Sequence, residues 1–193
     1  MRRVLFALPI VALGVMSSTV VFTQAPAGGQ KVTLATSLQR GYGNIKQNLT
    51  QEADKMPEAV YTFKPGSTPE ARTFAQVIAH IAQSQLATCA LLKGVPNPMA
   101  GKNLEQELKT KAEVTKALAD SFALCDEAFA NVTDASATEF VKVGQNEQTR
   151  AAILYGLIVH GNEIYGTGAV YLRSKNIVPP STERQMQGRG RGN

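Results

Sequence analysis

The chain has 193 residues, 44% of them hydrophobic, and its 20 basic and 15 acidic residues give a formal net charge of +5. This surplus lies at the two ends, because residues 1–27 hold two arginines and no acidic residue, and residues 173–193 hold five basic residues and one acidic residue. With no basic stripe on a predicted element and no interleaved aromatic residues, the composition argues against a nucleic-acid partner.

The N-terminus has the pattern of an export signal. Two arginines precede an apolar run over residues 4–15, and Ala25-Pro26-Ala27 has the small-x-small form of a signal-peptidase site. We therefore predict a signal peptide over residues 1–27 and a periplasmic or secreted bacterial protein that begins near Gly28. The alternative is an uncleaved membrane anchor, but the apolar run is shorter than the ~20 residues that span a bilayer. No stable membrane anchor is expected after the signal is removed.

Four later segments repeat apolar residues at steps of three and four, the period of an amphipathic helix, and no lasting strand alternation is present. The sequence therefore predicts an all-α four-helix bundle. Helix 1 covers about residues 32–55 and is stopped by Pro57. Helix 2 covers about residues 74–93, with Thr73 as its N-cap and Gly94 after its end.

The second half of the chain predicts two more helices. Helix 3 begins with a capping box formed by Thr110 and Glu113 and ends near Asn131. Helix 4 covers about residues 147–175, after which prolines break the pattern. We predict a bundle domain over residues 28–180 and a disordered basic tail over residues 181–193.

The connection between helices 2 and 3 is long. It has sixteen residues, 94–109, whereas a hairpin of antiparallel helices needs about 2–8. An extended segment of that length reaches roughly 50 Å, more than the ~30 Å length of a 20-residue helix. Helices 2 and 3 can therefore run parallel, joined by a crossover.

Three stretches of the sequence resemble the DinB-like family of bacterial four-helix bundles. They are residues 56–65, residues 72–81, which end in Ala79-His80-Ile81, and residues 160–181, which begin with His160-Gly161-Asn162-Glu163-Ile164. The resemblance covers nearly the whole mature chain. It implies a bundle in which helices 2 and 3 are parallel, in agreement with the length of the crossover.

The resemblance also implies a metal site. In the DinB-like family a divalent metal is commonly held by one histidine of helix 2 and a His-x-x-x-His pair of helix 4. His80 matches the first ligand and His160 the second, but the third position is Ile164. Residues four apart on a helix share one face, so both members of such a pair can reach one ion. Characterised relatives include metal-dependent thiol transferases and a thiol-dependent isomerase.

With Ile164 in the third position, several interpretations of the two histidines stay open. The preferred one is a decayed site, with no cofactor and with His80 and His160 satisfied by hydrogen bonds to each other, to backbone or to water. The alternative is a zinc or nickel site in which Glu163 replaces the missing ligand. No catalytic or cofactor-binding residue is predicted from the sequence itself.

The two cysteines, Cys89 and Cys125, are predicted to form a disulfide. They lie 16 and 15 residues after the caps Thr73 and Thr110, so on parallel helices they reach nearly the same height. Export would place the chain where disulfides persist. The alternative is two buried thiols that act as small hydrophobic residues.

The preferred function is an exported small-ligand binding or stress-related module with a decayed metal site. One alternative is a metal-dependent transferase or hydrolase of the DinB-like thiol-transferase type. The other is a structural or partner-binding protein, which a closed core without a pocket at His160 would favour. A small-molecule ligand and a homodimer both remain open as partners.

Overall fold

The computed structural model describes residues 31–190. The predicted signal peptide, residues 1–27, lies outside the described residues. The elements in chain order are α1 (Leu34–Lys55), a 3-10 turn (Glu58–Val60), α2 (Phe74–Lys93), α3 (Leu104–Glu107), α4 (Lys111–Ala130), α5 (Asp134–Ala137), β1 (Phe140–Val143), β2 (Asn146–Thr149), α6 (Arg150–Ser174) and α7 (Pro180–Gly190). No helix within residues 31–190 is both long and apolar enough to cross a membrane.

The four long helices begin at threonine caps. The side chains of Thr33, Thr73, Thr110 and Thr149 each accept a hydrogen bond from the backbone amide three residues later. These bonds satisfy amide donors that have no partner within the helix. At the other end of α2, Gly94 adopts a left-handed conformation with φ of 66°, which favours glycine. The boundaries of α2 are therefore those that the sequence predicts.

Helices α2 and α4 run parallel, as the long crossover predicts. The hydroxyl of Ser121 donates to Gln85 Oε1 at 2.8 Å, and further along both helices Lys93 pairs with Glu127 at 2.6 Å. Residue numbers rise together on the two helices, as they must when the helices are parallel. Between these contacts lies the Cys89–Cys125 disulfide, with a Cα–Cα distance of 5.2 Å. The predicted disulfide is thus present.

Helices α1 and α6 form the other parallel pair. A side chain at Gly161 would meet Ile45, and one at Gly168 would meet Glu52, so the numbers of the contacting residues again rise together on the two helices. By contrast, α1 is antiparallel to α4, because Lys46 pairs with Asp126 whereas Lys111 reaches the carbonyl of Asp54. Side chains from all four helices fill the core, and the largest that are fully buried include Leu49, Phe74, Ile78, Phe129, Leu154 and Leu172.

The predicted start of helix 4 needs correction. A β-hairpin occupies residues 140–149, where no strand was expected, so α6 begins at Arg150 and not near Glu147. The strands have only four residues each, too few for an alternating pattern to be recognised. Gly144, with φ of 62°, opens the two-residue turn between them.

The predicted disordered tail is also corrected, since its residues 181–190 belong to helix α7. The Tyr165 hydroxyl accepts from the Ser181 amide at 2.9 Å and lies 2.8 Å from the Ser181 hydroxyl. Glu183 pairs with Lys55 at 2.9 Å, and Arg184 donates to Gln51 at 2.6 Å. These contacts with α6 and α1 supply the ordering that composition alone did not indicate. The last three residues, 191–193, lie outside the described residues.

Candidate functional site

The structure brings the two histidines together. His80 on α2 and His160 on α6 face each other edge to face, with ring centroids 5.1 Å apart. Their side chains are 30% and 28% exposed, so both rings can be reached from solvent. Instead of bonding each other, the two Nδ1 atoms each contact a carboxylate.

The partner of His80 is Glu105 on the short helix α3 in the crossover. His80 Nδ1 lies 2.7 Å from Glu105 Oε1, and Arg72 donates through Nε to Glu105 Oε2 at 2.7 Å and through Nη2 to Oε1 at 3.3 Å. Burial raises the pKa of Glu105, but the hydrogen bonds from Arg72 and His80 outweigh it, so the net pKa lies below its usual value. Glu105 is therefore an anion that ties α2 to the crossover.

The backbone around this ion cluster is held from both sides. The Leu104 amide donates to Gln83 Oε1 at 2.7 Å, and the Leu104 side chain is buried. The Tyr171 hydroxyl donates to the carbonyl of Arg72 at 2.7 Å. Because the backbone is anchored at Leu104, next to Glu105, and at Arg72, these two residues present their charges to His80 in a fixed arrangement.

His160 has a looser partner. Its Nδ1 lies 3.2 Å from Glu163 Oε2, one turn along α6, and the Glu163 side chain is 71% exposed. Glu163 thus lies at the surface beside the ring of His160. The next residue, Ile164, is buried in the core.

A cleft of about 290 Å³ opens beside His160. Helix α2 supplies Ser84 and Thr88 to its wall, the β-hairpin supplies Gln148, and α6 supplies Gly156 and His160. The rest of the lining is apolar: Leu91, Val143, Ala152, Ile153 and Leu157. The cleft therefore combines an imidazole, two hydroxyls and an amide with an aliphatic surface.

The four glycines of α6 divide into two kinds. A Cβ on Gly161 would lie 2.7 Å from Ile45 Cγ1, and one on Gly168 would overlap the carboxylate of Glu52, so these two allow α1 to approach closely. A Cβ on Gly156 or Gly166 would meet nothing within 4 Å. Gly156 therefore keeps the cleft open, whereas Gly166 faces open space away from it.

The comparison with family models matches residues 44–163 to the DinB superfamily. The chain belongs to the DinB superfamily. Two proteins of known structure agree with the fold. The DinB-like protein of Bacillus cereus ATCC 10987 superposes with a TM-score of 0.59 at 13% identity, over 74% of this chain and 93% of that one. A conserved protein of Enterococcus faecalis gives 0.58 at 14% identity, over 74% and 96%.

A mutant of the mycothiol-dependent maleylpyruvate isomerase also has this fold, with a TM-score of 0.52 and 15% identity, over 69% of this chain and 63% of that one. At these identities the likeness concerns the fold alone. A search of curated proteins gives no significant match.

The donor set of this DinB member does not fit the family's three-ligand metal site. Within residues 31–190, no three His, Cys, Asp or Glu side chains converge on one point. Ile164 is buried at the third ligand position, and the Glu163 carboxylate bonds His160 Nδ1 at the surface. An aliphatic side chain offers no lone pair, so two imidazoles alone remain, fewer than the three protein ligands of a catalytic zinc site.

Sequence reasoning located His80 and His160 but missed Glu105, Arg72 as its partner, and the hairpin wall of the cleft. Only one local signal pointed to Glu105. Asn103 caps the short helix α3 by accepting from the Gln106 amide, and Leu104 provides a buried anchor. Such a pattern predicts an ordered turn in the crossover, but not which side chain of α3 meets α2.

Proposed function

We propose that this protein is an exported DinB-superfamily member that binds a small molecule in the cleft beside His160, without the metal of its relatives. The open cleft is the observation that carries this proposal. A structural or partner-binding role would be favoured by a closed core at His160, and the cleft argues against it. Concave sites with an apolar lining and a few polar groups are the usual form of small-molecule sites.

The polar groups of the cleft favour a ligand that forms hydrogen bonds. Within residues 31–190, the side chains of Ser84, Thr88 and Gln148 form no hydrogen bond, so their donors and acceptors are available. His160 adds a ring nitrogen at the end of the cleft. Apart from this imidazole the lining carries no ionisable side chain. A neutral ligand with hydrogen-bonding groups and an apolar body suits these walls.

Cleft-filling and control substitutions on one helix can test the proposal. We would screen a fragment set of neutral, hydrogen-bonding compounds by nuclear magnetic resonance (NMR) and map the amide shifts of the protein. Fragments that bind should shift the amide signals of Ser84, Thr88, Gly156 and His160. Gly156→Leu should abolish this binding, because the new side chain projects into the cleft.

Gly166→Leu is the matched control, since it makes the same change on the same helix where nothing lies near. It should leave fragment binding intact. Failure of every fragment to bind at the cleft, or equal binding by the Gly156→Leu protein, would contradict the proposal.

Export is supported by the disulfide, because such bonds persist in oxidising compartments. Mass spectrometry of the protein from its native host should find an N-terminus near Gly28. An intact Met1 in a cytoplasmic fraction would overturn this part of the proposal.

A further inference from the structure

A second cavity, of about 320 Å³, borders the cleft where the long helices α2 and α4 end. It is formed where α2 and α4 end and α6 begins. Arg150 is the first residue of α6, ten residues before His160, which places it roughly 15 Å away along the helix. The cavity shares no lining residue with the cleft, although Leu92 of the cavity follows Leu91 of the cleft on α2, and nothing about it depends on the function proposed for that cleft.

Arg150 lines this cavity with unused hydrogen-bond donors. Its side chain is only 26% exposed, and its Nε is buried with no partner within the described residues. Its Nη2 lies 3.6 Å from Glu139 Oε2, too far for a hydrogen bond. Arg72, by comparison, donates twice to Glu105. A guanidinium has five N–H donors, and buried donors normally have acceptors.

The rest of the cavity wall consists of aliphatic side chains, the paired polar groups of Lys93, Glu127 and Ser136, and the amide of Asn131. Leu92, Ala128 and Val132 form its aliphatic part. The cation of Lys93 is bound to Glu127 at 2.6 Å. Of the two cations in the wall, Arg150 is therefore the one whose nearest carboxylate, that of Glu139 at 3.6 Å, is too far to accept a hydrogen bond, and its cavity also has an aliphatic surface.

We propose that this cavity binds a small organic monocarboxylate. The carboxylate would pair with the Arg150 guanidinium, whose planar fork matches two carboxylate oxygens. The hydrocarbon part would lie against Leu92, Ala128 and Val132. Glu127 and Glu139 stand near the cavity, so a doubly charged phosphate would be repelled more strongly than a monoanion.

Hexanoate is the probe for the test. Titrated into the purified protein at constant ionic strength and followed by NMR, it should shift the Arg150 side-chain Nε–H signal and the amides of Leu92 and Ala128. Hexanol, of equal chain length, and inorganic phosphate should each bind at least about tenfold more weakly, because one lacks the charge and the other the apolar body.

Four variants localise the binding. Arg150→Met keeps much of the aliphatic stem and should weaken hexanoate binding at least about tenfold, whereas Arg40→Met, at an exposed position of α1, should change nothing. Ala128→Leu should block the cavity while leaving Arg150 in place, which provides a second test if Arg150→Met unfolds. Gly156→Leu, which fills the other cleft, should leave hexanoate binding unchanged.

Binding of hexanol as tight as that of hexanoate, tighter binding of phosphate, or unchanged binding in the Ala128→Leu protein would each overturn the inference. Loss of binding in the Gly156→Leu protein would overturn it too, because hexanoate would then occupy the cleft at His160.

Discussion

The Nδ1 atom of His80 lies 2.7 Å from Oε1 of Glu105, and this contact fixes which nitrogen of the imidazole carries the proton. Glu105 is an ionised acceptor, so Nδ1 must be the donor and Nε2 of the neutral ring keeps its lone pair. In proteins that bind metals through histidine, a carboxylate that accepts from the ring nitrogen not bound to the metal has this orienting role. Here Glu105 orients His80 in this way, while the buried aliphatic Ile164 stands where the family resemblance places a third ligand.

We expect the neutral imidazole of His80 to be the Nδ1–H tautomer, and Glu105→Gln to shift the tautomer population. A glutamine amide can either donate or accept, so the ring is no longer restricted to one tautomer. Nitrogen-15 NMR of the imidazole side chains measures this directly. Glu163→Gln, beside His160, is the control and should leave the His80 signals unchanged. An Nε2–H tautomer in the unaltered protein would refute the expected geometry.

Two alanine substitutions on α6 should have opposite effects on stability. Gly166→Ala should raise the free energy of unfolding by up to ~1 kcal/mol, because alanine favours the helix and meets no neighbour. Gly168→Ala should lower it by roughly 1–3 kcal/mol, because the methyl group would overlap the Glu52 carboxylate. Urea unfolding of both proteins measures the difference. Equal effects at the two positions would contradict the close approach of α1 to α6.

The buried acid Glu52 should make stability depend on pH. Burial raises its pKa from 4.5 to about 9, and its oxygens have no hydrogen-bond partner among the described residues. Between these pH values the unfolded chain releases a proton that the folded chain retains. The free energy of unfolding therefore falls as pH rises through this window, by up to about 1.4 kcal/mol per pH unit for this group.

Glu52→Gln should remove this contribution, since the amide does not titrate. Relative to the unaltered protein, the variant should gain stability steadily from pH 5 to pH 8.5, as measured by urea unfolding at each pH. Parallel pH profiles for the two proteins would show that Glu52 is ionised in the folded state, contrary to this expectation.

The disulfide should contribute substantially to stability. Cys89 and Cys125 are 36 residues apart, and closing a loop of that length in the unfolded chain is worth roughly 3–4 kcal/mol by chain entropy. The Cys89→Ala, Cys125→Ala double variant should lose stability of this order, and a reducing agent should not affect it further. Two titratable thiols in the unaltered protein, denatured without a reducing agent, would contradict the bond.

The features that the sequence predicted correctly depend on local chemistry. Apolar stripes and the caps Thr73 and Thr110 define helices through contacts within a few residues. Length alone favoured a parallel crossover, and the disulfide followed from equal heights on parallel helices. Family resemblance placed His80 opposite His160.

The missed features depend on contacts between distant segments. Glu105 meets His80 across 25 residues, and Arg184 reaches Gln51 across 133, so no local pattern could pair them. The same limit applied to the glycines of α6, because their sequence spacing does not distinguish Gly168, which faces α1, from Gly166, which faces open space.

The proposal that this protein works without the metal of its relatives is tested most directly by comparing the unaltered protein with Ile164→His in zinc content and thermal unfolding. The unaltered protein should bind zinc or nickel weakly or not at all. Without zinc, the variant should be less stable by about 1–3 kcal/mol, because a polar ring replaces buried apolar surface. Zinc should restore that stability by binding the folded state alone. One tightly held metal per chain in the unaltered protein would contradict the loss of the site, and Glu163 would then be the ligand to substitute first.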